Sequence, residues 1–224
     1  MENDQVRYGF LGPAGTFTEA ALLQVAPRSE HVPMPDVVSA LEAVRTGAVD
    51  RAVVPIENSV EGGVTATLDT LGVGSPLVVV GEALVQISFV LAARPGTRLE
   101  DVTFVATHPH AWAQFRGTFS QLIPGAQHVP STSTAAAAAL LAGQGEEPVG
   151  FDAALVAPHS AAAYGLEVLA AGVEDNPGAV TRFVVVARPG VVPPPTGADK
   201  TTLLVHLPHD EAGALLTMLE QFAT

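Results

Sequence analysis

Short apolar runs alternate along this chain with longer Ala- and Leu-rich stretches whose apolar positions recur at helical spacing. The runs predict strands over Arg7–Leu11, His31–Met34, Arg51–Ile56, Leu77–Leu91, Thr103–Ala106, Ala153–Val156 and Phe183–Ala187. The stretches between them predict helices over Thr18–Val25, Val37–Thr46, Val64–Leu71, Ala111–Leu122, Thr134–Ala142 and Ser160–Tyr164. Within 37–46, Val37, Val38, Leu41 and Val44 form an apolar stripe, and Asp36 stands where an N-cap belongs. Strands alternating with helices in this way predict an α/β fold with largely parallel sheets.

The pattern also repeats. A helix, Gly47 and the run Ala52-Val53-Val54-Pro55-Ile56-Glu57-Asn58-Ser59 are echoed by a helix, Gly143 and Ala154-Leu155-Val156-Ala157-Pro158-His159-Ser160. In both, a strand is expected to end at a proline and a polar pair, where the next helix begins. Two similar lobes follow, with Leu77–Ala93 crossing between them and Thr181–Ala187 returning, and a cleft between lobes is the natural ligand site. Strand–proline–helix junctions also recur in α/β proteins without any duplication. After Val186 the chain becomes Pro-rich, and 188–197 reads as a semi-rigid linker. Beyond it, Lys200–Leu207 is expected to be a strand and Ala212–Phe222 an amphipathic helix. A lone strand and helix cannot bury both faces, so this tail reads as the opening of a second, truncated domain.

Composition narrows the function. The chain has 224 residues, a formal charge of −13 and only ten Lys and Arg. That charge argues against nucleic acid and against an anionic membrane surface as partners. Without cysteine there are no disulfides and no thiolate chemistry. MENDQVRYGF carries no basic and apolar signal-peptide pattern, and no uncharged apolar run reaches the roughly 18 residues of a membrane span. The expectation is a soluble, cytoplasmic protein.

Four segments carry candidate chemistry. Gly12-Pro13-Ala14-Gly15-Thr16 follows the first strand and opens a helix, a geometry that directs backbone N–H groups at an anion. Glu57, Asn58 and Ser59 are expected where a strand meets a helix, so Asn58 or Ser59 serves equally as an N-cap. Ser133 and Thr134 open an alanine-rich helix, where capping and carboxylate binding are both available, the latter helped by the helix dipole. Arg182, one of nine arginines, begins an otherwise apolar strand. It suits a bidentate carboxylate, or a structural pair with Glu57 or Asp175. Thr181 alone reads as an ordinary strand threonine, and Phe183 as packing beneath the site. His108 and His110, without a third ligand nearby, do not make a metal site.

Taken together and in order, GPAGTFTEAAL, VPIENSVEGG, THPHAWAQF, STAAAAA and TRFVVV resemble prephenate dehydratase, over essentially the whole chain. The tail, GADKTTLLV followed by GALLTMLEQFA, is similar to the opening of the phenylalanine-sensing ACT domain that follows the catalytic part. The resemblance implies two Rossmann-like lobes around a central cleft, like a type II periplasmic binding protein, plus the start of an α+β ACT domain. It implies a catalytic domain over 1–187, a linker over 188–197 and the incomplete ACT domain over 198–224. The implied reaction is decarboxylation coupled to dehydration of prephenate to phenylpyruvate, on the route to phenylalanine. Aromatisation drives that reaction, so no metal or organic cofactor is implied. Thr181 is assigned to the leaving oxygen, with Asn58 and with Glu57 or a water as proton source. Arg182, Phe183, Ser59, Gly12, Pro13, Gly15, Thr16, Ser133 and Thr134 are the implied substrate contacts. Gly213, Ala214 and Leu215 would form half of an effector site for L-phenylalanine, and the chain as it stands is expected to be insensitive to that effector. A homodimer or tetramer is implied. His110, where the family often has Gln, and Ala179, where it often has Asn, depart from the pattern. Arogenate dehydratase and prephenate decarboxylase are alternatives on the same fold, and a non-catalytic two-lobed ligand-binding module is an alternative of another class.

Overall fold

The computed structural model describes residues 6–60, 62–145, 149–190, 193–205, 207 and 211–223, and divides into compact units over 1–192 and 193–224. The larger unit begins with β1 (Arg7–Leu11), α1 (Phe17–Val25), β2 (Glu30–Met34), α2 (Val37–Thr46), β3 (Arg51–Asn58), β4 (Gly62–Gly63), α3 (Thr65–Gly72) and β5 (Val78–Gln86). It continues with β6 (Val90–Ala93), β7 (Phe104–Thr107), α4 (Pro109–Ala113), α5 (Arg116–Leu122), β8 (Gln127–Pro130), α6 (Thr134–Leu141), β9 (Ala153–Val156), α7 (Pro158–Ala163), β10 (Glu167–Ala171) and β11 (Val180–Ala187).

The strands form two sheets of matching topology. One runs β2-β1-β3-β11-β5, with β4 hung on β3, and the other runs β8-β7-β9-β6-β10. In each, the first three strands are parallel and the last two antiparallel. The internal repeat is therefore real at the level of strands. Strands β5 and β6 belong to different sheets, and β11 lies between β3 and β5.

Burial explains the continuous apolar strands. All of β6 and β9 is buried. Phe10, Val53, Phe183 and Val185 of the first sheet and Leu22 of α1 share one core with Leu91, Val105 and Leu155 of the second sheet, Phe89 of the crossing and Phe115 between α4 and α5. In α2 the predicted stripe is buried at Val37, Leu41 and Val44, with Asp36 accepting from the Ser39 N–H at 2.7 Å. That bond and the Ser39 side chain hold the Asp36 pKa below its ordinary value. Val38 faces outward, 48% exposed, and Ala40 replaces it in the stripe.

Several elements differ from expectation. The run at 77–91 is two strands, because the chain changes sheets at 87–89. The helix expected over 111–122 is broken at Gln114 and Phe115. There the Asp175 N–H donates to the Gln114 carbonyl at 2.7 Å, while its carboxylate accepts from the N–H groups of Gly117 and Thr118. A distant segment thus supplies the partners that a continuous helix would have used. Strands β8 and β10, which the apolar pattern does not mark, lie at sheet edges, and neither contains a buried residue. Strand β3 does not stop at Pro55 but runs to Asn58, and α3 opens only at Thr65, with no side-chain cap. Pro55 adjoins a bulge, past the residues that pair with β1, where a missing N–H is tolerated. Pro158, in contrast, starts a helix. The two prolines of the repeat are therefore not equivalent.

In the smaller unit, α8 (Ala214–Glu220) follows Gly213, whose φ of +94° suits glycine. This helix is shorter than the predicted 212–222. Residues 200–205 and 207 form no strand, and His206 lies outside the described residues. Among the unit's described residues no neighbouring strand offers these backbone groups a ladder.

Candidate active site

A cavity of about 390 Å³ lies between the lobes, lined by Leu11, Gly12, Pro13, Thr16, Pro33, Met34, Pro35, Thr132 and Ser133. The first seven follow or end β1 and β2, and the last two follow β8. Parallel strands of both sheets thus direct their carboxyl ends at one space, the position where open α/β sheets bind ligands. None of the nine lining residues is charged. Two helices open on the cavity. Thr16 caps α1, accepting from the Glu19 N–H at 3.3 Å, and Ser133 caps α6, accepting from the Ala136 N–H at 2.9 Å. Their dipoles make this a place for an anion.

The turn before α1 is determined by its sequence. Thr16-Phe17-Thr18-Glu19 is a variant of the capping box: Thr16 Oγ donates to the Leu11 carbonyl, and the Glu19 carboxylate accepts from the Gly15 N–H. Gly12 donates to the Met34 carbonyl at 3.0 Å, and a Cβ there would stand 2.8 Å from Pro33 Cβ. The peptide bond between Gly12 and Pro13 is cis. The N–H groups of Gly12 and Gly15 are therefore spent within the protein, and the ligand-facing role expected of them falls to the turn's surface and the helix end.

A second group lies at the same carboxyl edge of the first sheet. Asn58 Nδ2 donates to Thr181 Oγ at 2.9 Å, and Asn58 Oδ1 accepts from the Val60 N–H at 2.8 Å, which fixes the amide's orientation. Thr181 is only 6% exposed. Ser59 Oγ accepts from the Val180 N–H at 2.9 Å and ties the two strand ends together. The residues facing each other across β3 and β11 are Thr181 with Asn58, Arg182 with Glu57 and, after a bulge, Phe183 with Pro55. Bulges of this kind re-aim side chains beside functional sites.

Strand alternation separates the expected residues. Thr181 and Asn58 share one face of the sheet, and Arg182 and Glu57 share the other. Arg182 Nε donates to Glu82 at 2.6 Å, and its guanidinium lies 3.8 Å from Glu57. Its closest ion-pair partner is therefore Glu82, which sequence did not single out, and not Asp175. Slight burial raises the Asp175 pKa, but hydrogen bonds from Gly117 and Thr118 lower it further, to below the ordinary value. Phe183, 3% exposed, packs in the shared core.

Gly12, Pro13, Thr16 and Ser133 line the cavity, whereas Gly15, Thr134, Thr181 and Asn58 do not. His108 caps α4 and stacks on His110 with ring centroids 5.2 Å apart. Among the described residues no group of three or more His, Asp or Glu could hold a metal ion. The apolar wall Pro33-Met34-Pro35 and Thr132 escaped sequence reading. The clue available was position, since each follows a parallel strand.

Two α/β lobes of matching strand order around an uncharged cavity at their facing strand ends define a two-lobed α/β class of protein that takes its ligand in the cleft. The family model described as prephenate dehydratase matches residues 8–190, and the chain belongs to that family. It is 45% identical to a prephenate dehydratase of Mycobacterium sp. strain JLS over 96% of this chain and 70% of that protein. A solved prephenate dehydratase from Arthrobacter aurescens, in complex with L-Phe, is 53% identical with a TM-score of 0.90, over 97% of this chain and 71% of that one. A solved structure described as a novel type of quorum-quenching acylase is 32% identical with a TM-score of 0.70, over 84% and 67%.

Proposed function

We propose that this chain converts prephenate to phenylpyruvate, carbon dioxide and water. The observation that carries the reading is the Asn58–Thr181 hydrogen bond at the carboxyl edge of the first sheet. The ring carboxylate of prephenate leaves as carbon dioxide, and its bonding pair enters the ring as the C–O bond to the ring hydroxyl breaks. The departing hydroxide then takes a proton and leaves as water. Because Thr181 Oγ accepts from Asn58, its own hydrogen can be directed at the leaving oxygen. The Asn58 bond also stabilises charge that develops on Thr181 as it donates. Glu57, on the other face of β3, orders Arg182 in this reading, and solvent restores the Thr181 proton. The capped ends of α1 and α6 attract the substrate's carboxylates.

Prephenate is favoured over arogenate by the prephenate dehydratases to which the chain is similar. Dehydration is favoured over simple decarboxylation because Thr181 and Asn58 serve hydroxide departure. Acylase chemistry needs a nucleophile beside a base, whereas the neighbour of Thr181 is an amide that donates to it.

Residues 198–224 read as the opening of an ACT domain, with Gly213, Ala214 and Leu215 forming half of an L-phenylalanine site. The L-Phe complex of the Arthrobacter aurescens relative supports effector binding. A cytoplasmic homo-oligomer is the corresponding assembly, and sedimentation with and without L-phenylalanine checks it. No helix of the described residues is long and apolar enough to cross a membrane.

The test is incubation of the purified chain with prephenate in the presence of EDTA, reading phenylpyruvate absorbance in alkali. Turnover undiminished by EDTA is expected. Absence of phenylpyruvate overturns the assignment, and strict dependence on a divalent ion overturns its cofactor-free part.

A further inference from the structure

The turn over 13–16 is held from outside its own lobe. Three consecutive carbonyls, of Ala14, Gly15 and Thr16, are met by the Tyr164 hydroxyl at 2.9 Å, the Ser160 hydroxyl and His159 Nε2 at 3.3 Å. All three side chains come from α7 and its last turn, in the second lobe. Ser160 is fully buried. Burial, and then the Glu19 charge, raise the Tyr164 pKa above its ordinary value, which keeps that hydroxyl a donor. Gly15 permits the approach: its φ is +86°, and a Cβ there would stand 3.0 Å from Ser160 Oγ and 3.3 Å from the Tyr164 ring. The His159 ring packs edge-on against Phe17, which in turn meets Phe89.

The same turn supplies Pro13 and Thr16 to one wall of the cavity, while Thr132 and Ser133 of the second lobe supply the opposite wall. We infer that Ser160 and Tyr164 are positioning residues for catalysis, a latch that sets the separation of the two walls before substrate arrives. The inference rests on the prephenate reading for its kinetic part only. A ligand that must touch both walls binds a pre-set cavity without first ordering it, and loss of the latch lowers the fraction of binding-competent protein. Once substrate bridges the walls the latch is no longer needed, so its loss appears in KM and not in kcat.

The test compares Tyr164→Phe and Ser160→Ala, singly and together, with the wild-type chain. Tyr164→Phe removes one oxygen from a partly exposed ring and leaves the packing in place. Each single variant is expected to raise KM for prephenate about fivefold, the factor equivalent to one ordinary hydrogen bond, with kcat within about twofold. Amide hydrogen exchange at 14–16 is expected to speed up by a similar factor, without turnover being measured. An unchanged KM with a lowered melting temperature overturns the latch as a positioning device, and so does a fall in kcat at constant KM. If the wild-type chain does not consume prephenate, the functional assignment fails by itself. In that case unaltered exchange at 14–16 in Tyr164→Phe overturns the latch, and faster exchange supports it.

Discussion

At the scale of single residues, the site depends on which side of a strand each side chain occupies. Thr181 and Arg182 are neighbours in sequence, yet a strand's two-residue period sends them to opposite faces. Thr181 is held beside Asn58, and Arg182 pairs with Glu82. Arg182→Lys is accordingly expected to melt lower, by about 1 kcal/mol of stability, because a point charge cannot reproduce the guanidinium's contacts with two carboxylates. Its KM for prephenate should stay within about twofold, as expected when an ordinary surface change adds no more than half a kcal/mol. Thermal melts and steady-state kinetics on the same preparation separate the two effects. The motifs single out both Asn58 and Thr181, but they cannot show that the two touch. That contact spans 123 positions and depends on the register of β3 against β11, including a bulge that no local pattern announces.

Among elements, legibility followed burial. Strands β1 and β9 and helix α2 were recovered to the residue, because their apolar positions meet a core on the faces the pattern marks. Strands β8 and β10 were not, and neither contains a buried residue. The break between α4 and α5 was hidden for another reason: its cause is Asp175, about sixty positions away, bonding Gly117 and Thr118. Asp175→Ala should therefore cost about 1 kcal/mol near neutral pH, as loss of a helix cap does. The sign of its pH dependence is fixed. The folded pKa lies below the ordinary 3.8, so the stabilisation is complete above that value and disappears as pH falls through the folded one. Urea melts at pH 7 and at pH 3 should show a smaller difference between variant and wild type in acid. An equal difference at both would mean that the carboxylate's charge plays no part.

In the whole molecule, duplication creates the site. Each lobe ends its parallel strands at the cleft, and each contributes a capped helix to an uncharged cavity. The chemical group stands at the edge of one lobe only. Binding by both lobes and proton donation by Thr181, as proposed, are separated by kcat and KM for prephenate in Thr181→Ala and Asn58→Asp beside the wild-type chain. Loss of the donated hydrogen should lower kcat by about 10²-fold or more in Thr181→Ala. Asn58→Asp should follow it, because a carboxylate there would accept the Thr181 hydrogen itself. KM should move by less than about threefold in both, as expected when the lost interaction forms only in the transition state. Wild-type kcat in Thr181→Ala, or a loss confined to KM, would contradict the account.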